Sequence, residues 1–172
     1  MIKAILLAAG QSKRLKAENK LVKIYKKKHL INHTLNTLHK SKINKVIIVL
    51  GYQYKKIKKI IKKNKKNIFV INKNYKNGIA SSIKTGLKKI SKKDKGFIIV
   101  QSDMPFIKIL DVNKLYESIH KKNYLVHALK FKKIKGNFGA KFMVKRLKKN
   151  TNFIKISSER IFKDFDYKKD FN

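Results

Sequence analysis

The sequence predicts an α/β fold of the doubly wound kind, a mostly parallel sheet between two layers of helices. Two observations carry this. Continuous apolar runs recur at residues 2–8, 46–50, 68–71 and 97–100. Each is short, rich in Ile, Leu and Val and bounded by turn signals, which is the pattern of buried parallel strands. Between them the apolar spacing changes to a helical period. Leu30, Ile31, Leu35 and Leu38 share one face, as do Ile57, Ile60 and Ile61, and then Ile79, Ile83, Leu87 and Ile90. Strands alternating with amphipathic helices build a sheet with helices on both faces, giving three layers. Ligands of such folds bind outside the carboxyl ends of the strands, so the loops after the apolar runs are where a site is expected.

Beyond Phe106 the rhythm changes. A helix is predicted over residues 112–120, a strand over 124–131, and a Lys- and Gly-rich turn before an apolar stretch at 139–144, while 153–171 shows no clear period. No repeat or linker interrupts the chain, and 172 residues suit one domain spanning 1–172. No apolar run reaches the length of a bilayer span, and the first apolar segment is too short for a signal peptide, so a cytoplasmic protein without membrane contact is expected. With no cysteine, disulfides, thiolate zinc sites and cysteine nucleophiles are excluded, and any metal must take oxygen or imidazole ligands.

The charge is extreme, 46 Lys and Arg against 9 Asp and Glu, a formal net charge of +37. Such a surface attracts polyanions, and nucleic acid is expected to bind non-specifically. A dedicated nucleic-acid interface would use arginine forks and interleaved aromatics. Here only Arg14, Arg146 and Arg160 are arginines, and lysine is spread over nearly every segment. An A/T-rich coding bias accounts better for that spread. The lysine run on residues 55–63 reads as the wet face of an amphipathic helix.

Three segments after predicted strands carry candidate chemistry. In Leu7-Ala8-Ala9-Gly10-Gln11-Ser12-Lys13-Arg14-Leu15, small residues let the backbone approach a ligand, loop amides can face phosphate oxygens, and Arg14 with the nearby Lys20 adds a fork and a point charge. Neither the Walker-A nor the dinucleotide glycine pattern is present. In Asn72-Lys73-Asn74-Tyr75-Lys76-Asn77-Gly78-Ile79-Ala80-Ser81-Ser82, Gly78 permits a tight turn. Ser81 and Ser82 stand at a helix start, where hydroxyls either cap the backbone or touch nucleotide oxygens. The third, Gln101-Ser102-Asp103-Met104-Pro105, puts a carboxylate at a strand's carboxyl end. It reads either as a turn signal or as the hard oxygen ligand that Mg²⁺ requires. His29, His33, His39, His120 and His127 show no metal-like spacing with carboxylates and read as surface or packing residues.

These segments resemble the pyrophosphorylase-like nucleotidyltransferases, and within them the molybdopterin nucleotidyltransferases, above all molybdenum cofactor cytidylyltransferase. The opening resembles L-A-A-G-x-S-x-R-[ML]-G followed by N-K-L, the latter being Asn19-Lys20-Leu21, with Lys16 in place of the second glycine. The second segment is similar to N-P-x-W-x-x-G-M-x-S-S-L and the third to G-D-[MQ]-P. Asp164-Phe165-Asp166 resembles the start of D-I-D-T-P-E-D-L, although Lys168 and Lys169 replace proline and glutamate. The resemblance implies a Rossmann-like fold of the nucleotide-diphospho-sugar transferase type. It also implies a nucleotide site at Leu7, Ala8, Ala9, Gly10, Ser12, Arg14, Lys20, Gly78, Ser81 and Ser82. By the same resemblance Asp103 and Asp166 hold Mg²⁺, and Arg14, Lys20 and Asp103 are catalytic. Ala9 points to CTP, since family members with A-A-G resemble the cytidylyltransferases. The implied acceptor is molybdopterin carrying molybdenum, with a molybdoenzyme or its chaperone as recipient of the product. Gly136-Asn137-Phe138-Gly139 resembles an acceptor-side loop without its proline.

Overall fold

The computed structural model describes residues 1–12, 18–121, 126–129, 151–155, 158, 160, 163, 165 and 167–171, with backbone alone at 126–129, 151, 153 and 168. Its sheet is formed by four parallel strands, β1 (Ile2–Ala8), β4 (Lys45–Leu50), β5 (Asn67–Ile71) and β6 (Gly96–Gln101). Their spatial order is β5-β4-β1-β6. The predicted α/β fold with a parallel sheet is therefore what the chain adopts. In register, Ile5 lies between Ile47 of β4 and Ile99 of β6. β1 runs through the middle, and Ile2, Ala4, Ile5 and Leu6 are all fully buried. Truncating Leu6 to alanine would cost about 2–5 kcal/mol, because the side chains around the cavity relax only in part.

Two short strands lie between β1 and the first helix. Strands β2 (Ile24–Tyr25) and β3 (Lys28–His29) form an antiparallel ribbon around Lys26 and Lys27, whose φ values of 42° and 64° are left-handed. A tight hairpin turn needs that handedness, but Lys-Lys lacks the Asn-Gly signature, so nothing in the residues announces the ribbon. Helix α1 (Leu30–Lys40) follows, with Leu30, Ile31, Leu35 and Leu38 buried as their spacing predicts. Its carbonyl end is closed by Lys66, whose Nζ donates to the His39 and Ser41 carbonyls at 2.9 Å each. A cation there complements the helix dipole.

Helices α1, α2 (Tyr54–Ile60) and α4 (Ile109–Lys121) contribute to one core with Ile2, Ala4, Leu6, Val46, Ile48 and Ile98. Helix α3 (Ile79–Leu87) covers the other face, over Ile5, Ile47 and Val49. The layers are unequal, and three expectations change as a result. The apolar run at 97–100 is not buried on both sides, since Phe97 and Ile99 are 38% and 39% exposed on the thin face. The run at 68–71 is only half-buried, and Ile71 is exposed. Ile79 is exposed as well, because α3 meets the sheet through Ser82 and Gly86. A Cβ at Gly86 would stand 2.5 Å from Ile5 Cγ2, so the helix lies too close for larger residues along that line.

Past β6, α4 begins three residues earlier than predicted. The predicted strand at 124–131 is seen as β7 (Val126–Leu129), paired in parallel with β8 (Thr151–Ile154). The apolar stretch at 139–144 lies outside the described residues. In the segment without clear period, Phe165 is fully buried against Tyr25, Phe106 and Phe171, and a 3-10 helix spans Lys168–Phe171. Among the described residues no helix is long and apolar enough to cross a membrane.

Candidate functional site

The chain lays β1, β4 and β5 outward in one direction and then crosses back, placing β6 on the far side of β1. Loops after β1 and β6 therefore lie side by side at the carboxyl edge of the sheet, both leading to helices of the same layer, α1 and α4, and the crevice at that edge is where an open α/β sheet binds its ligands. The first and third candidate segments are those two loops.

They are tied together at their roots. Ser102 donates from its amide and its hydroxyl to the Leu7 carbonyl, at 3.3 and 2.7 Å. Thr34 of α1 donates to the Ser102 carbonyl at 3.1 Å. The next residue, Asp103, extends into the crevice, where its carboxylate lies 2.6 Å from Lys20 Nζ. The two side chains are 15% and 18% exposed. Lys20 opens a 3-10 helix, Lys20–Val22, capped by Asn19, whose Oδ1 accepts from the Leu21 amide at 3.1 Å. The Lys20 amide donates to Ser12 Oγ at 3.1 Å. Ser12 has a φ of 51°, a left-handed conformation uncommon outside glycine and often found where a loop serves a ligand. Leu7, Ser12, Lys20 and Asp103 are thus brought into one neighbourhood although they span 97 positions of sequence, from 7 to 103.

Gly10 differs from the other described glycines. Its φ is not left-handed, and a Cβ built there would meet nothing within 4 Å. The protein's own packing does not require glycine at that position, whereas a ligand seated against the backbone would. Asp103 also offers the carboxylate oxygens that a hard divalent cation takes, near a turn whose Ala8 and Ala9 are buried and whose Gly10 is exposed. Arg14 and Asp166 lie outside the described residues. Asp170 accepts from the Tyr167 amide at 2.7 Å and closes the last turn.

The second segment is organised by its first residue, to which the sequence reading gave no role of its own. Asn72 is 3% exposed. Its amide donates to the Leu50 carbonyl at 2.8 Å, its Oδ1 accepts from the Asn74 amide at 3.0 Å, and its Nδ2 donates to the Ser81 and Ser82 hydroxyls at 2.8 and 3.0 Å. Ser81 Oγ in turn reaches the Asn74 and Gly78 carbonyls at 2.9 Å each. The two serines therefore fasten the loop to α3 through Asn72. Gly78, with φ of 87°, precedes that helix in a conformation that strains other residues. A second unanticipated contact is the loop after β4: Tyr52 donates its amide to the Ala9 carbonyl at 3.2 Å and accepts at its own carbonyl from Asn19 Nδ2 at 3.4 Å. A glycine directly after a strand, Gly51, was the available signal.

The histidines within the described side chains are engaged in packing. His29 and His33 bond the Val22 and Tyr25 carbonyls, and His39 pairs with Asn67 Oδ1 at 2.7 Å, with burial lowering its pKa. His120 lies against the Tyr116 ring, whereas the side chain of His127 lies outside the described set.

Comparison with known proteins gives this arrangement its context. Residues 4–150 match the model of the MobA-like NTP transferase domain. The bifunctional protein GlmU of Buchnera aphidicola (subsp. Schizaphis graminum) is 30% identical over 160 residues, covering 92% of this chain and 33% of that protein. The chain thus spans about a third of the length of that curated relative. Among solved structures, an Rv0371c homologue from Mycobacterium sp. strain JC1 superposes with a TM-score of 0.72 at 16% identity, covering 91% of this chain and 86% of that one. A manganese complex of Rv0371c from Mycobacterium tuberculosis gives 0.68 at 13% identity, covering 90% and 88%. The 4-diphosphocytidyl-2C-methyl-D-erythritol synthase of Anaerococcus prevotii gives 0.61 at 22%, covering 77% and 56%.

Proposed function

The chain belongs to the MobA-like NTP transferase family, and from that premise we propose that it transfers CMP from CTP onto the phosphate of molybdopterin carrying molybdenum, with release of pyrophosphate. The observation that carries the transfer reading is the meeting of Lys20 and Asp103 at the carboxyl ends of β1 and β6, beside the open turn at Gly10. An acceptor phosphate oxygen attacks the α-phosphorus; the new P–O bond forms as the bond from the α-phosphorus to the bridging oxygen breaks, and pyrophosphate departs with that electron pair. The nucleophile is already anionic, so no general base is needed, in keeping with histidines that serve packing. What the protein must supply is alignment and positive charge. Amides of residues 8–12 would face the triphosphate, Lys20 would move from Asp103 to a phosphate oxygen, and Arg14 would add a fork as the family resemblance implies. Asp103, with Asp166 by the same resemblance, would hold a divalent cation, expected to be Mg²⁺, which when bound supplies charge neutralisation at the phosphates. Gly78, Ser81 and Ser82 would border the nucleotide from the second loop. The recipient of the product would be a molybdoenzyme or its chaperone.

CTP in place of GTP is supported by the Ala8-Ala9-Gly10 turn. A second reading keeps the chemistry and changes the acceptor to a sugar phosphate or another small phosphorylated alcohol; the acceptor-side segment at 136–142, which lacks the proline of the molybdopterin enzymes, favours it. Pyrophosphate release from each of the four nucleoside triphosphates, with and without purified molybdenum cofactor, tests both. The expected result is release with CTP that depends on the cofactor. Preference for GTP would overturn the cytidine assignment, and release stimulated by sugar phosphates alone would overturn the molybdopterin acceptor.

A further inference from the structure

We propose that Gly51 is a positioning residue that fixes the separation of the first and second ligand loops, and so sets the shape of the nucleotide site. The inference rests on the nucleotide reading of those loops given above. Gly51 is buried and follows the last residue of β4. Its φ is not left-handed, so conformational freedom does not call for glycine there. Space does. A Cβ at this position would stand 2.7 Å from Ala9 Cβ, 2.7 Å from Tyr75 Cβ and 2.9 Å from the Ala9 carbonyl oxygen. Atoms that near the main chain cannot swing aside as the tip of a long side chain could, so the backbone itself would have to shift.

The two residues on either side of Gly51 bind the same loops. Leu50 accepts at its carbonyl from the Asn72 amide, and Tyr52 donates to the Ala9 carbonyl while accepting from Asn19, the cap of the turn that carries Lys20. The Tyr52 and Tyr75 rings lie 6.3 Å apart across the same junction. One point in the fold thus touches the Ala9 turn, the Lys20 turn and the Tyr75 loop. A methyl group there must part the Ala9 turn from the Tyr75 loop. Groups that bind one ligand from two loops lose alignment when the loops separate, and in a reaction a misplacement of about 1 Å costs up to about a hundredfold in rate. Gly96 supplies the control, because its Cβ would stand 2.8 Å from Ile119 Cγ2 at the amino end of β6, the opposite end of the sheet from the ligand loops.

The test measures thermal midpoint and calorimetric affinity for Mg²⁺–CTP in the wild type, Gly51→Ala and Gly96→Ala, each at a temperature where it is folded. Gly51→Ala is expected to lose tenfold or more in affinity, whereas Gly96→Ala, perturbed at the far end of the sheet, binds like the wild type. Affinity within twofold of the wild type in folded Gly51→Ala, or parallel losses in both variants, overturns the proposal. Should Gly51→Ala fail to fold, hydrogen exchange on the wild type decides. Addition of Mg²⁺–CTP is expected to slow the Gly10, Tyr52 and Gly78 amides together, and protection confined to one loop overturns it. No binding by the wild type itself would overturn the nucleotide reading, and this inference with it.

Discussion

Two lysine–aspartate pairs stand at opposite ends of the sheet, and their distances are nearly equal. At the amino end, Lys3 of β1 lies 2.7 Å from Asp94, just before β6; at the carboxyl end, Lys20 lies 2.6 Å from Asp103, just after β6. Their surroundings separate them. Asp94 is 1% exposed and also accepts from the Ser91 amide and hydroxyl, while the N-terminal ammonium lies 3.9 Å from its other oxygen. Lys3 donates as well to the Lys89 carbonyl. The Lys3 hydrogen bond, followed by that from the Ser91 amide, holds the Asp94 carboxyl down to about 2. Every group of that cluster belongs to the packed chain, and its use is to fasten β1 to the turn before β6. The Lys20–Asp103 pair sits between two loops, more open to solvent, beside a glycine whose open side is empty of protein. A pair whose carboxylate is buried and held through one oxygen by Lys3 and Ser91 resists exchange of partners, while a crevice pair can be split by a ligand carrying both charges. Distance alone would have assigned both the same role.

The sharpest way to break this comparison is to neutralise one acid at each end. Asp103→Asn is expected to lower pyrophosphate release by about a hundredfold or more, while Asp94→Asn loses thermal stability and keeps turnover per folded molecule. Equal loss of turnover in both would erase the distinction. A smaller effect follows from the splitting of the crevice pair. Without nucleotide, Lys20→Met is expected to bind Mn²⁺ roughly tenfold more tightly than the wild type, equivalent to about 1.4 kcal/mol of competition removed. Paramagnetic resonance of free Mn²⁺ reads this directly, and unchanged or weaker binding would show that Lys20 does not compete for Asp103.

The amino-end pair makes a prediction in pH. Because the Asp94 pKa is depressed in the folded protein from an ordinary value of 3.8 to about 2, its stabilisation is complete above about pH 4 and is lost as pH falls towards 2. Denaturant midpoints measured between pH 5 and 2 should fall more steeply in the wild type than in Asp94→Asn. Identical slopes would show that the carboxylate is not held as described. The smallest effect is expected at neither end. Lys59, exposed on α2, is one of many lysines, and Lys59→Ala should change stability by less than about 0.5 kcal/mol and leave nucleotide affinity within twofold.

Much of this was legible in the residues. Apolar runs and helical periods located β1, β4, α1 and the sheet's parallel character, because burying strands on both faces demands continuous Ile, Leu and Val. The same reading overstated β5 and β6, since an apolar run carries no mark of how thickly the next layer will cover it. Phe97 and Ile99 became half-covered only through the placement of α3. The loops of the candidate site were picked out by small residues, an aspartate after a strand and a family resemblance, whereas Asn19 and Asn72 received no role of their own and Gly51 none at all, because the contacts that join one loop to another, Asn19 to Tyr52, Asn72 to Leu50 and Gly51 to Ala9, cross between segments distant in sequence.

By itself, then, the sequence determined the alternation of strand and helix and the residue types that a phosphate-binding loop requires, since periodicity and side-chain chemistry are local properties. Only the tertiary structure decided that Lys20 meets Asp103 while Lys3 meets Asp94, and that Gly51 must have no side chain. Those facts depend on the reversal of strand order between β1 and β6 and on how closely the loops approach, quantities set by packing across the whole sheet.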